Sequence, residues 1–435
     1  MMKYLIVGSG AREHAIIKAL KKYNPNLDII CFGTNKNPGI INLNVECFVG
    51  DICNISEVLN KSIEWKIDIA VIGPEAPLEK GLADILWENS IAVIGPKKQL
   101  AKLETSKSFT RDLLKKYDIP GSPKYKYFND LDGVISFLEK LGNGNFVIKA
   151  DGLMGGKGVK VAGDHLHSIN EAYDFCKTLS NSNNGFVIEE KVIGEEFSLL
   201  YFCDGSSLIP MPIVQDHKRA YENDKGPNTG GMGSYSDANH SLPFLSKKDL
   251  EQAKHINEMV ISAITKEFRQ KYIGILYSSF MVTKDGLKLI EYNVRFGDPE
   301  ALNVLSILKS DLSKIFEAMI SGHLAPSLVE FENFATVCKY AVPDGYPDNP
   351  IKNSPIDLSN VDLKDNLYFA SVDDNLNLLG SRAVASIGVA NNIADAEKTA
   401  EYTISQIKGK IYHRSDIGTK KLIEKRINNM QEIRS

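Results

Sequence analysis

Short apolar runs alternate with longer amphipathic stretches over the first hundred residues. KYLIVG (3–8), LDIICFG (27–33), IDIAVIGPEAPL (67–78) and IAVIGP (91–96) read as buried strands, with helical patterns between them. Unbroken apolar strands joined through helices predict a parallel sheet covered on both faces, a Rossmann-like α/β domain over 1–103. A helix is expected from about Arg12 to Lys22 and another from Leu100 to Lys116, the latter carrying Lys107. The pattern then changes. NFVIKADGLMGGKGVKVAG (145–163) is two strands around a glycine-rich loop, and GFVIEEKVIGEEFSLLYFCDG (185–205) is strand, turn, strand, with a hairpin at Asp204-Gly205. A polar helix from about Lys247 to Lys271 precedes a second hairpin, GILYSSFMVTKDGLKLIEYN (274–293), turning at Asp285-Gly286. Asp298 and Pro299 predict the cap and first turn of a helix reaching about Ser321. From Phe331 a smaller β-rich unit follows, with strands in 334–342, 366–372 and 381–390 and a helix over 394–407. Three domains result: 1–103, 104–328 with a lid at about 123–194, and 329–435.

Candidate chemistry concentrates in LKLIEYNVRFGDPE (287–300). Strict strand alternation places Leu287, Leu289, Glu291, Asn293 and Arg295 on one face. A carboxylate beside an amide carbonyl suits Mg²⁺ (or Mn²⁺), which completes its shell with water and substrate phosphates. Arg295 adds a planar fork for a carboxylate or phosphate. The competing reading is a solvated edge strand with polar residues placed by chance.

The glycine loop is not a P-loop. Gly158 stands where Ser or Thr should follow Lys157, the earlier glycine is misplaced, and a strand follows instead of a helix. As a hairpin flap its amides can instead cradle phosphates, with Lys149 adding charge. The opening GSGARE resembles a dinucleotide fingerprint, but Glu13 holds the third glycine position and no acid follows the second strand. A phosphorylated substrate at that helix N-terminus fits better than NAD. In 215–236 the cluster Asp216, His217, Lys218 and Arg219 precedes Gly226, Gly230, Gly231 and Gly233, a composition that keeps backbone close to a ligand.

Composition narrows the partners. Lys plus Arg number 51 against 55 Asp plus Glu, a net charge of −4, which argues against nucleic acid or an anionic membrane surface. No apolar run approaches membrane-helix length, and six cysteines without a Cys-x-x-Cys pair point to a reducing, cytoplasmic setting.

GSGAREHA, GPEAPL, IKADGLMGGKGV, QDHKR…GPNTGGMG and EYNVRFGDPE, in that order, resemble the ATP-grasp ligases and, more narrowly, the phosphoribosylamine–glycine ligase family. The resemblance implies an ATP-grasp core, ATP, glycine and 5-phosphoribosylamine as substrates, and a monomer or weak dimer. Lys107 and Lys149 match lysines on the nucleotide phosphates, and Gly155, Gly156, Lys157 and Gly158 the phosphate-covering flap. Glu189, Glu190 and Val192 match the adenine hinge, and Glu196 the ribose-binding acid. Glu291 and Asn293 match the metal ligands. Asp216, His217, Lys218, Arg219, Asn228, Gly230, Gly231 and Arg295 match the region facing glycine and phosphoribosylamine. Gly10 and Arg12 match the N-terminal part of the phosphoribosylamine site. Arg295, Lys149, Asp216 and Lys218 are the expected catalytic set. The chain departs from the family at Ala11, at Phe369-Ala370-Ser371 and at Ser381. Tyr277-Ser278-Ser279 lacks the second metal-binding acid of many ATP-grasp enzymes, so Glu291 is the main anionic ligand. Another ATP-grasp ligase of purine metabolism, and an NAD-binding oxidoreductase, are the alternative readings.

Overall fold

The structure is a computed structural model that describes residues 2–154, 158–181 and 185–435. β1 (Tyr4–Val7), β2 (Ile29–Gly33), β3 (Glu46–Val49), β4 (Ile69–Ile72) and β5 (Ala92–Ile94) form a parallel sheet in the order β3-β2-β1-β4-β5. β1, β2 and β4 are buried throughout, which is why they read as unbroken apolar runs. The edge strand β3, ECFV, is half exposed and has no such run to betray it.

The stretch expected as one helix over Leu100–Lys116 is two. Ser106 is extended (φ −139°, ψ 111°) and its hydroxyl caps the second segment, giving helices Lys98–Thr105 and Lys107–Lys116. Lys107 therefore begins a helix.

The lid follows as β6 (Tyr125–Phe128), β7 (Phe146–Ala150), β8 (Val159–Val161) and β9 (Phe186–Glu190), antiparallel in the order β6-β9-β7-β8. Phe128, Phe146, Ile148, Phe186 and Ile188 belong to an apolar core of its own. The chain continues through β10 (Glu195–Asp204), β11 (Leu208–Pro210), β12 (Gln215–Asp216), β13 (Arg219–Tyr221), β14 (Lys225–Asn228), β15 (Gly233–Ser236), β16 (Ile273–Thr283) and β17 (Gly286–Asn293). The order β11-β10-β16-β17 makes the central antiparallel sheet.

The last strands are β18 (Ala335–Pro343), β19 (Leu367–Phe369), β20 (Val384–Ala390) and β21 (Ile411–Tyr412). Their sheet runs β12-β15-β18-β20-β19, with β21 on β18, so it takes in two strands from the glycine-rich region and crosses the expected boundary near 329. One continuous apolar core joins Leu5 and Phe32 to Phe197, Phe280, Leu289, Val337 and Met430.

Helix ends shift where local chemistry intervenes. The Lys247–Phe268 helix stops at Arg269, which is left-handed (φ 52°). Asp298 does not cap the next helix: its Oδ1 accepts the Tyr340 hydroxyl at 2.6 Å, and Pro299 takes the cap position. That helix is Glu300–Ser306, and a separate one, Leu312–Ser321, begins behind Asp311. A final helix, Lys420–Arg434, has no counterpart in the sequence-based reading. Among the described residues no helix is long and apolar enough to cross a membrane.

Candidate nucleotide and substrate site

β17 does not alternate strictly. Ser279 pairs with Glu291 and Phe280 with Leu289, which leaves Ile290 as an extra residue, a β-bulge. The bulge reverses the parity of the strand. Leu287 and Leu289 face the core before it; Tyr292, Val294 and Phe296 face the core after it. Glu291, Asn293 and Arg295 are thereby turned to the opposite, accessible side, and the expectation that they share a face with the two leucines is corrected. The Ile290 carbonyl accepts Arg111 Nη2 at 2.8 Å and Lys149 Nζ at 3.2 Å.

Charge gathers along this edge. Lys218 Nζ lies 2.6 Å from Glu196 Oε1 and 3.6 Å from Glu291 Oε1. Ser279 Oγ donates to Glu196 at 2.6 Å. Burial opposes ionisation of Glu291, but Lys218, Lys149, Lys107 and Arg295 outweigh it and hold the carboxyl below its usual value. Lys218 is raised: Glu196 and Glu291 together overcome its burial. Arg295 is gripped by Glu104 (3.0 Å) and Glu75 (3.3 Å), and donates to Asn293 Oδ1 at 3.1 Å.

The base of the flap is fixed from two sides. Asp151 accepts the backbone amides of Lys107 (2.6 Å) and Ser108 (3.3 Å), a carboxylate on a helix N-terminus. Lys107 Nζ reaches the Gly152 carbonyl at 3.0 Å, and Ala150 donates to the Gly158 carbonyl at 2.8 Å. Gly155, Gly156 and Lys157 lie outside the described residues. The base of the flap, Lys107, Lys149 and the strand carrying Glu291 thus meet at one edge of the central sheet.

Three family profiles match in series: phosphoribosylglycinamide synthetase N domain over 2–104, the ATP-grasp (A) domain over 105–301, and the C domain over 336–420. The chain belongs to the phosphoribosylglycinamide synthetase family. The phosphoribosylamine–glycine ligase of Methanobrevibacter smithii is 47% identical over 99% of this chain and 100% of its own length. That of Methanocella arvoryzae is 45% identical over 100% of both. The crystal structure of phosphoribosylamine–glycine ligase from Thermotoga maritima superposes with a TM-score of 0.80 at 26% identity, covering 95% of this chain and 100% of that one. A biotin carboxylase domain of a 2-oxoglutarate carboxylase from Hydrogenobacter thermophilus, in complex with MgADP, ADP and bicarbonate, shares the fold at TM-score 0.71 and 15% identity, covering 99% of this chain and 94% of that one. The resemblance read from the motifs is borne out.

For a member of this family, several side chains are placed differently from expectation. Glu189 is committed inside the fold, with Arg111 Nε at 2.6 Å and Lys149 Nζ at 2.8 Å. Its carboxylate is engaged by both cations and is not free for adenine. Glu190 accepts the Lys124 amide at 2.9 Å. Val192 is half-buried in the connection between β9 and β10.

The N-terminal loop is closed by its own chain. Glu13 accepts the Gly10 amide at 2.6 Å and Arg12 Nε at 2.7 Å, so the helix N-terminus already carries an anion. Arg12 Nη1 donates to the Phe296 carbonyl at 3.1 Å. The Gly10 amide is therefore taken up within its own helix, and Arg12 joins the N-terminal domain to the end of the β17 segment. A Cβ on Gly73 would fall 1.9 Å from Glu13 Oε1, so the Glu13 carboxylate packs directly against the end of β4.

In the glycine-rich region, Asp216 Oδ1 is buried without a hydrogen-bond partner, and burial followed by Glu300 raises its pKa well above the usual range. His217, expected to face substrate, points inward with no exposed side-chain surface; it faces Asp224 and stacks on Tyr235. Arg219 is turned to the lid, paired with Asp164. Asn228 sits opposite it on β14. Arg382 Nη1 donates to the carbonyls of Gly230 (2.8 Å) and Gly231 (3.1 Å), so the C-terminal domain fastens this loop despite its divergent text. Arg111, Glu104 and Arg382 escaped the sequence reading, and Glu13 was noted only as a departure from a glycine pattern. Arg111 and Glu104 sit in ordinary helix patterns, Arg382 in the connection before β20, and only GPEAPL flagged Glu75.

Proposed function

We propose that the chain joins glycine to 5-phosphoribosylamine at the expense of ATP, giving glycinamide ribonucleotide, ADP and phosphate. The carrying observation is the meeting of the flap base, Lys107, Lys149 and Lys218 with Glu291, Asn293 and Arg295 at one sheet edge, inside a chain of this family along its whole length. The glycine carboxylate attacks the γ-phosphorus of ATP and ADP departs, leaving glycyl phosphate. The amine of phosphoribosylamine then attacks the acyl carbon and expels phosphate, so purine biosynthesis is the setting.

Catalysis by this chain is positioning and charge neutralisation. Lys107 and Lys149 bind nucleotide phosphates, Glu196 takes the ribose, and the backbone of Glu190–Val192 takes the adenine. Lys218 and Arg295 orient the reacting carboxylate and the developing phosphate, and the flap excludes water from an acyl phosphate that hydrolyses readily. Glu291 and Asn293 suit Mg²⁺ or Mn²⁺. Among the described residues no group of three or more His, Cys, Asp or Glu side chains is placed to hold a metal ion. An ion on Glu291 and Asn293 would complete its shell with water and phosphate oxygens. The bound ion supplies charge neutralisation on the phosphates. With its side chain enclosed, His217 serves as a structural group, not a general base.

The test is ADP release assayed with glycine and phosphoribosylamine, each omitted in turn. Release that requires both supports the assignment. Release independent of both, or requiring bicarbonate or formate, points to a different ATP-grasp ligase.

A further inference from the structure

The final helix, Lys420–Arg434, begins at the last residue that the family's C-domain profile matches and runs beyond it. It is nevertheless part of the core. Leu422 and Met430 are buried, and Ile423, Ile427 and Ile433 pack against the central apolar cluster. Its polar face meets two elements that carry the proposed site. Arg426 Nη1 lies 3.1 Å from Glu195 Oε2, while Nη2 pairs with Asp224. Asn429 donates to Glu195 at 2.6 Å. Glu195 is the residue before Glu196 on β10 and points to the opposite face. Asp224 closes the turn between β13 and β14, the far end of the segment that begins with Asp216 and Lys218.

That turn needs holding. Asn223 and Asp224 are consecutive non-glycine residues in the left-handed region, at φ 60° and 58°. Such residues persist where their surroundings over-determine them. Here Arg414, itself 1% exposed, donates to Asp224 at 3.1 Å and to the Arg219 carbonyl at 3.0 Å, and Asp416 accepts the Asn223 amide at 2.9 Å. Asp224 also faces His217 at 3.4 Å. Burial opposes ionisation of Asp224, but His217, Arg426 and Arg414 hold its carboxyl far below the usual range.

We propose that Arg426 is a positioning residue: by gripping Glu195 and Asp224 together, it fixes the 216–231 loop against the strand that carries Glu196. The C-terminal helix thus sets the amine and amino-acid half of the site relative to the nucleotide half. The kinetic part of the inference rests on the proposed reaction; the structural part does not.

Two measurements on the full-length chain test it. Hydrogen exchange compares wild type with Arg426→Ala and with Asp224→Asn. Amides within 216–231 exchange roughly tenfold faster or more in either variant, while those of β1 and β4 do not change. In steady-state assays, KM for glycine or phosphoribosylamine rises about tenfold, the size expected for a lost charge-assisted contact, and KM for ATP moves less than about twofold. The double variant is no worse than the worse single one, and Arg426→Lys recovers part of the loss. Unchanged loop exchange overturns the proposal. So does an equal rise in all three KM values, or additive losses in the double variant. If wild type releases ADP without glycine and phosphoribosylamine, the proposed reaction fails, and exchange in the loop still decides the positioning role. Should Arg426→Ala not fold, Arg426→Lys and Asp224→Asn carry both measurements.

Discussion

Glu104 Oε1 stands 3.0 Å from Arg295 Nη2, and its other oxygen accepts the Val294 amide at 2.8 Å, so one buried carboxylate fixes both the side chain and the backbone at the end of the metal-type strand. Burial, outweighing the attraction of Arg295, pushes the Glu104 carboxyl up to about 7. Below that pH Glu104 is protonated and Arg295 keeps only Glu75 as an anionic partner. kcat/KM for ATP is therefore expected to fall on the acid side with an apparent pKa near 7. Glu104→Gln should remove that limb and hold the rate about tenfold below wild type at pH 8. A variant that keeps the wild-type acid limb would sink the assignment.

Arg295→Ala tests the group that Glu104 holds. A loss in kcat of about 10²-fold or more is expected if the guanidinium acts on charge developing in the transition state. A change confined to KM for ATP would move Arg295 to nucleotide binding.

Glu291→Ala should abolish turnover even with ATP in excess, with a loss of roughly 10³-fold or more, because it removes the main anion available to the metal. Asn293→Ala should retain activity that is recovered in part by raising Mg²⁺. Near-normal turnover in Glu291→Ala would reject the metal assignment.

The Glu189 group links charge to stability. Arg111 and Lys149 overcome burial and hold its carboxyl down at about 2. Since the folded value is depressed below the ordinary 4.5, the stabilisation is fully present above pH 4.5 and is lost as pH falls through about 2. Glu189→Gln should cost about 3 kcal/mol at pH 7, as two buried cations lose their anion. Urea unfolding at a series of pH values checks the sign. The gap between variant and wild type should narrow as pH drops below 4.5; a constant gap would show that packing, not charge, carries the effect.

Gly231 has φ +110°, and a Cβ there would lie 2.6 Å from Asp216 Oδ1 and 2.7 Å from Pro299 Cδ. Gly231→Ala is expected to cost about 1–3 kcal/mol in unfolding free energy and to raise KM for glycine more than KM for ATP. Equal effects on both would place the strain outside the substrate loop.

The parallel sheet, the β7–β8 hairpin and the strand carrying Glu291 were legible because each is local: apolar runs, glycine spacing, a distinctive motif. What escaped depends on partners far along the chain. Glu189 reads as a hinge acid until Arg111, 78 residues earlier, is brought against it. Gly10 reads as an open anion site because nothing in GSGARE shows that Glu13 folds back onto its amide. His217 stands beside two functional candidates, yet just past the end of β12 its side chain is turned inward, with no exposed surface. The bulge at Ile290 has no signature in its own residues, since it is fixed by the register of β16.

That extra residue has a consequence for how β17 can be altered. Upstream of Ile290 the strand obeys the grammar of a core, and downstream the grammar of a reaction site, with one peptide unit separating the two. Deleting Ile290 would remove the bulge and let Glu291 follow Leu289 in regular alternation, still opposite Ser279 and with Tyr292 still inward. The strand would keep its two faces and lose the carbonyl that accepts Arg111 and Lys149. What the extra residue adds is an acceptor for two buried cations at the point where the strand changes character.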